Sequence, residues 1–352
     1  MRVAPNWFTA AMGTGIVANA AVLLPLDLPG LHALALAAWV AAVLLLARLL
    51  ALCFQQWRSG WSLPSVTLAS APFWGAPPMA LMTIASGTLL VGRDLLGEDA
   101  ALAVAAVMWS TGTIGGLVAV WAVPRWLRNH PDSRLDDVYA TWLLPVVPPL
   151  VSATSGAALI ARAPAGPLRT GLLLACCALF ALSITAVIAT KRLLVRRLRR
   201  HGAGPARMVP TLFIALGPLG QSVTAACLLA AVAPVAVGAR LAHGIDVFAL
   251  VFAIPVFALA LIWLTVAATV TARTARGPGL PFAATWWSFI FPLGTCVTGS
   301  SGLAQRLGAA PLTWIAGLLF AALLAAWVTV AAATARHAYT RRAGATPAPT
   351  PA

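Results

Sequence analysis

The sequence predicts an all-α membrane protein with ten transmembrane helices, arranged as five helical hairpins with an inner ring of five kinked helices around a central pore. Three observations carry this prediction. Of the 352 residues, 61% are hydrophobic and only 9% are charged. Apolar runs long enough to cross a bilayer follow one another along almost the whole chain. Residues that disturb helices recur at a step of about 65–75 residues, the length of one hairpin.

The composition decides the solvent. A soluble domain carries about 25% charged residues. No soluble fold of this size has enough interior to hide so much apolar surface, so lipid must cover it. Runs bounded by charge or by Gly and Pro give spans at about 5–25, 31–53, 72–91, 99–123, 139–161, 168–194, 209–233, 244–272, 283–304 and 311–335. One transmembrane domain, 1–342, is expected. The small, Pro-rich stretch 343–352 (AGATPAPTPA) reads as a disordered tail.

The net charge of +15 does not point to nucleic acid. Most of the basic residues lie between the apolar runs or close to their ends, where membrane topology places them. The N-terminus, the loops after even spans and the C-terminal segment hold 18 of the 23 Lys and Arg residues, the densest run being Lys191 to Arg200. The remaining five are Arg93, Arg162, Arg169, Arg240 and Arg306. This split places both termini in the cytoplasm of a cell-membrane protein, which requires an even number of spans. The basic face has two readings: it orients the protein and binds anionic lipid, or it concentrates anions at a pore mouth.

The disturbing residues sit in the odd spans. They are Gly13 and Gly15, then Pro77 and Pro78, then Pro145, Pro148 and Pro149, then Gly217 and Pro218, then Pro292 with Gly294. The even spans are mostly clean, with Pro255 as the exception. A mid-helix proline removes a backbone hydrogen bond and kinks the helix. Lipid does not tolerate the freed groups, whereas protein or a water-filled cavity does. Kinked helices in alternation therefore belong in an inner ring, with the plain helices facing lipid. Read singly, each of these residues is only what transmembrane helices ordinarily contain.

Chemical groups that define enzymes and cation pathways are missing from the predicted core. Asp27, Asp94, Glu98, Asp99, Asp132, Asp136, Asp137 and Asp246 all fall in loops or near helix ends, as do the five histidines. Cys53, Cys176, Cys177, Cys227 and Cys296 form no metal-ligand pattern and read as small packing residues. No HExxH, Gly-x-Ser-x-Gly or P-loop pattern occurs, so neither an enzyme nor a cofactor is expected. A pathway through such a core is nearly neutral and does not repel anions.

Four segments resemble a known family. Pro5-Asn6-Trp7-Phe8 with Met12-Gly13-Thr14-Gly15 resembles the first-helix signature of the tellurite-resistance/dicarboxylate transporter family. That family includes bacterial TehA-type channels, plant slow anion channels, and fungal malate permeases and sulfite efflux pumps. Trp286-Trp287-Ser288-Phe289-Ile290-Phe291-Pro292 resembles its ninth-helix signature. Thr141 to Pro148 and Gly217 to Gln221 resemble the fifth- and seventh-helix motifs, nearest the sulfite/malate branch. The likeness spans positions 5 to about 335.

The resemblance implies a homotrimer with one pore per protomer, plugged by a ninth-helix phenylalanine. Phe291 matches that position, and Phe289 is the competitor, about 200° away around a helix. Gly13, Thr14, Gly15, Pro77, Pro78, Pro148, Gly217, Pro218 and Pro292 are the expected pore-lining residues. The cargo is expected to be a small anion: sulfite, a C4-dicarboxylate such as malate, or chloride or nitrate. A proton-coupled carrier is the alternative within transport, and it needs a titratable group in the pathway.

Overall fold

The computed structural model describes residues 4–60, 66–277 and 279–343. The expected tail lies outside them, apart from Ala343, which ends the last helix. Ten helices cross the molecule: α1 (Phe8–Leu23), α2 (Leu31–Arg58), α3 (Ala76–Gly87), α4 (Glu98–Asn129), α5 (Pro148–Arg162), α6 (Pro167–His201), α7 (Gly217–Ala236), α8 (Ala239–Arg276), α9 (Ile290–Leu307) and α10 (Ala310–Ala343). Beyond α3 the chain continues through a π-helical turn, Thr88–Gly92, and a short helical turn, Arg93–Leu96. No strand occurs among the described residues.

Consecutive odd helices touch, and α9 returns to α1, so α1, α3, α5, α7 and α9 close a ring. Each even helix packs on its hairpin partner and on the next odd helix, covering the seam between them. Burial separates the two layers. The most apolar stretch of Ala206–Ala236 is 94% buried, against 22–28% in the five even helices. In α1, 14 of 16 residues are buried; in α2, only five of 28 are. The even helices turn Leu44, Val107, Ile114, Val251 and Leu318 outward, where only lipid suits them.

The odd helices are built differently from the kinked spans expected. A 3₁₀ segment precedes each: Pro5–Trp7, Ala71–Gly75, Ala140–Leu143, Ala206–Ala215 and Ala284–Phe289. The α-helix then starts afresh, with proline in the first two positions of α3, α5 and α7. The reason is that proline has no N–H to give to the ladder and clashes with the carbonyl four residues back; at a helix start neither matters. The disturbance is thus a 3₁₀-to-α junction. Gly13 and Gly15 disturb nothing: α1 is continuous through both. They allow close approach instead, since a Cβ on Gly13 would lie 3.3 Å from Cβ of Ile290, and one on Gly15 3.2 Å from Cγ2 of Thr83.

Among the described residues, seven helical segments have the length and hydropathy to cross a membrane by themselves. The other three are α1, α5 and α9, with 16, 15 and 18 residues. At 1.5 Å per residue they reach roughly 22–27 Å, short of the ~30 Å hydrocarbon core. The 3₁₀ segments supply the rest. All odd helices run the same way, starting at the face where the even helices end in Arg58, Arg128, Arg199, Arg200 and Arg276. This is the basic face. At the opposite, distal face the hairpins turn sharply: Gly97 alone joins Leu96 to Glu98, and its φ of 78° is one that glycine adopts without strain.

Lipid gives helices no hydrophobic reason to associate, so small residues and polar pins must hold them together. Side-chain hydrogen bonds cross all five seams of the ring. Asn19 Nδ2 donates to Thr83 O (3.0 Å), Ser155 Oγ to Met82 O (3.0 Å), and Gln221 Nε2 to Thr154 Oγ1 (2.7 Å). Thr224 and Thr298 share a hydroxyl bond of 2.7 Å, and Gln305 Nε2 donates to Leu23 O (3.2 Å). Four outer helices pin the ring through tryptophan N–H groups: Trp39 to Thr88, Trp109 to Ser152, Trp263 to Leu212 and Trp327 to Thr14. In α6, Ser183 Oγ donates to Val146 O (2.7 Å) and does the same work.

Candidate functional site: the central pathway

The ring encloses two cavities along its axis. Each inner helix sends one stripe of side chains to them at helical spacing. In α1 the stripe is Thr9, Met12, Ile16, Asn19 and Leu23; in α3 it is Met79, Thr83, Ser86 and Leu90 of the π turn. The α5 stripe runs from Leu144 and Val147 through Val151 and Thr154 to Ala158 and Arg162. Gly217, Pro218, Gln221, Thr224 and Leu228 follow in α7, and Ser288, Phe291 and Thr298 in and before α9.

The cavity toward the basic face measures about 30 Å³, room for little more than a water. It lies where the 3₁₀ segments hand over to α-helix. Met12, Met79, Leu144, Val147, Ile214 and Trp287 make it apolar, with Thr9 and Ser288 as its hydroxyls. The distal cavity measures about 230 Å³. Asn19, Thr83, Ser86, Thr154, Gln221 and Thr298 give it a polar wall, and Arg162 closes the stripe of α5. No Asp or Glu borders either cavity.

Phe291 borders both cavities and is the one residue common to them. It is only 4% exposed. Phe289 points elsewhere: its ring meets Phe213 edge-on, with centroids 4.8 Å apart and planes at 86°. The two-residue offset on the helix thus resolves as one ring on the axis and one in the packing between 3₁₀ segments.

The other sequence candidates divide in the same way. Gly217, Pro218 and Pro292 border the basic-side cavity. Thr14 turns outward and accepts the Trp327 N–H at 3.2 Å. Gly13 and Gly15 sit in the seams to α9 and α3. Pro78 and Pro148 face α4, where they meet the places that Cβ atoms on Gly115 and Gly116 would fill. Pro77 is half-buried and borders neither cavity.

The polar wall was not singled out from the sequence, although a signal existed. Gln221 and Asn19 are amides inside predicted spans, which lipid tolerates only on a protein or cavity face. Arg162 reads in the sequence only as a basic residue between spans.

A closed ring of helices in lipid, with an uncharged constriction and a polar chamber on its axis, defines a multi-pass membrane protein built to pass a small solute. Comparison of sequences makes this specific. Residues 2–335 match the model of the voltage-dependent anion channel (SLAC1) family, and the chain belongs to that family. It is the same grouping that the four motifs resemble. The chain is 27% identical over 348 residues to the sulfite efflux pump SSU1 of Arthroderma otae, covering 96% of this chain and 91% of that one. It is 26% identical over 352 residues to the SSU1 pump of Trichophyton rubrum, with the same coverage. An uncharacterized transporter of Methanocaldococcus jannaschii is 26% identical over 341 residues, covering 96% and 93%. The family is one of anion channels and transporters, not of enzymes.

Proposed function

We propose that this protein conducts small anions through the axis of its inner ring and that the Phe291 ring is the gate. The observation that carries this reading is that Phe291 alone borders both the basic-side and the distal cavity. An aromatic ring at an apolar constriction blocks ions sterically and by dewetting, and a rotamer change suffices to clear it. Gly217, Pro218 and Pro292 shape the narrow passage beside it.

Anion preference has independent support. No carboxylate borders the path. The α-helical N-termini of all five inner helices lie toward the basic face, so the positive ends of their dipoles surround the narrow cavity. The arginine-rich helix ends raise the local anion concentration on that face. Sulfite is the leading cargo, because the curated relatives named for a substrate are sulfite pumps; a C4-dicarboxylate is second. In this reading the protein sits in the cell membrane with the basic face and both termini in the cytoplasm. The homotrimer implied by the family belongs to the same reading.

Planar-bilayer currents of purified wild type and Phe291→Ala under a chloride or sulfite gradient test it. The expected result is a current at least about tenfold larger in the variant, the order of a ~1.4 kcal/mol change in the opening barrier, reversing near the anion equilibrium potential. Absence of current in both, with liposome uptake driven by a pH gradient, would replace the channel by a proton-coupled carrier.

A further inference from the structure

Arg162 is the one formally charged side chain that borders either cavity. It lies in the last turn of α5, at the distal end of the larger cavity. Two neutral backbone carbonyls hold it: Nη1 donates to Ala158 O (3.1 Å) and Nη2 to Leu89 O (3.3 Å) in the π-helical turn. Its nearest counter-charge is Glu98 Oε1, 3.9 Å from Nε, on a side chain that is 71% exposed. Arg306, at the same face, differs. It is ion-paired with Asp246 and borders no cavity. A guanidinium has five N–H donors, so Arg162 retains some beyond its two carbonyl bonds.

The wall around it makes this charge matter. The hydroxyls of Thr83, Thr154 and Ser155 give their protons to backbone carbonyls at 2.7–3.0 Å. Hydroxyls bound in that way offer the cavity only lone pairs, which favour a cation. What favours an anion are the remaining amide N–H groups of Gln221 and Asn19, the Ser86 hydroxyl and, as the only full charge, Arg162, acting beside low-dielectric neighbours such as Leu90 and Val232.

On the anion-pore reading, on which this rests, we propose that Arg162 is the anion-capture site of the distal chamber and sets its preference for anions over cations, with Glu98 as the counter-charge that weakens it. The ligand class is a small oxyanion or halide. The guanidinium gathers it from the distal side, or receives it after it passes Phe291, and the polar wall then holds it partly solvated.

The test uses full-length protein carrying Phe291→Ala, so that the pathway is open, in planar bilayers under a KCl gradient. Arg162→Gln is expected to lower the chloride-to-potassium permeability ratio about fivefold, the order for one partly solvated charge a few ångström from the path. Arg162→Lys keeps the ratio within about twofold, since it keeps the charge, and Glu98→Gln raises it. Ala161→Glu, which sets a carboxylate on the cavity wall beside Arg162 and cancels its charge, should lower the ratio as Arg162→Gln does; it answers the question even where Arg162→Gln fails to fold. An unchanged ratio in Arg162→Gln or Ala161→Glu overturns the proposal while leaving the pore intact. If the Phe291→Ala parent itself carries no current, the fault lies with the pore reading.

Discussion

The two halves of the pathway are lined by the same five helices, yet they differ in nearly every respect. Toward the basic face the chain is 3₁₀ giving way to α, the space is about 30 Å³, and the wall is Met, Leu, Val, Ile and Trp. Beyond Phe291 the lining is α-helical apart from the π turn that carries Leu90, the space is about 230 Å³, and amides, hydroxyls and one guanidinium are set among Ile16, Leu23, Val151, Leu228 and Val232. The difference teaches that the constriction arises from helix starts. At the junctions the backbones come close: a Cβ on Gly75 would lie 2.1 Å from the carbonyl oxygen of Leu144. The narrow space left is filled mainly by apolar side chains, with Thr9 and Ser288 as its only hydroxyls. Where the ladder is regular, each helix has a free stripe to devote to polar groups.

Substitutions that separate the halves follow, from the largest effect to the smallest. Gly75→Ala in the narrow half and Gly220→Ala in the wide half both drive a methyl into backbone, the latter 2.6 Å from the Thr295 carbonyl carbon. Each should cost about 1–3 kcal/mol, read as a lower unfolding midpoint in detergent. Gln221→Leu removes the donor that reaches Thr154 at 2.7 Å. In the Phe291→Ala background it should reduce anion current several-fold, by roughly 1 kcal/mol for one hydrogen-bonding group. Thr9→Val in the narrow half should alter that current far less. Equal effects from the two would erase the contrast.

Phe289→Ala tests the gate assignment from the other side. The edge-to-face pair with Phe213 contributes about 0.5–1.5 kcal/mol beyond area burial, so the unfolding midpoint should fall. Bilayer current should stay at the wild-type level; a current matching Phe291→Ala would show that both rings close the path. The smallest effect is expected at Gly217→Ala. Its Cβ would have Pro292 at 3.7 Å, an ordinary contact, so stability should stay within about 0.5 kcal/mol in thermal melts.

Much of the ring was legible because lipid makes the rules strict. The alternation of disturbed and plain spans placed the inner and outer helices, and the ends of the even helices carried the charge. Helix geometry set Phe291 and Phe289 on opposite sides of a helix, and only the family resemblance chose Phe291 between them. Gly13 and Gly15 misled because a glycine that admits a neighbouring helix and one that breaks a helix look alike in sequence. Pro78 and Pro148 misled for a related reason: proline marks where an α-helix begins, but not which way its ring faces, and both face α4. The polar chamber escaped notice because its residues come one or two per helix and gather only when the ring closes.

That closure joins the two ends of the chain. The seam between α9 and α1 is covered by α10, whose Trp327 reaches back 313 positions to Thr14, while Gln305 reaches back 282 to Leu23. During synthesis four hairpins enter the membrane while the groove of α1 has no partner on one side. The first helix, with 14 of its 16 residues destined for burial, must wait for the last hairpin to be made. The C-terminal hairpin is therefore the last piece of the ring to be made and the one that closes it.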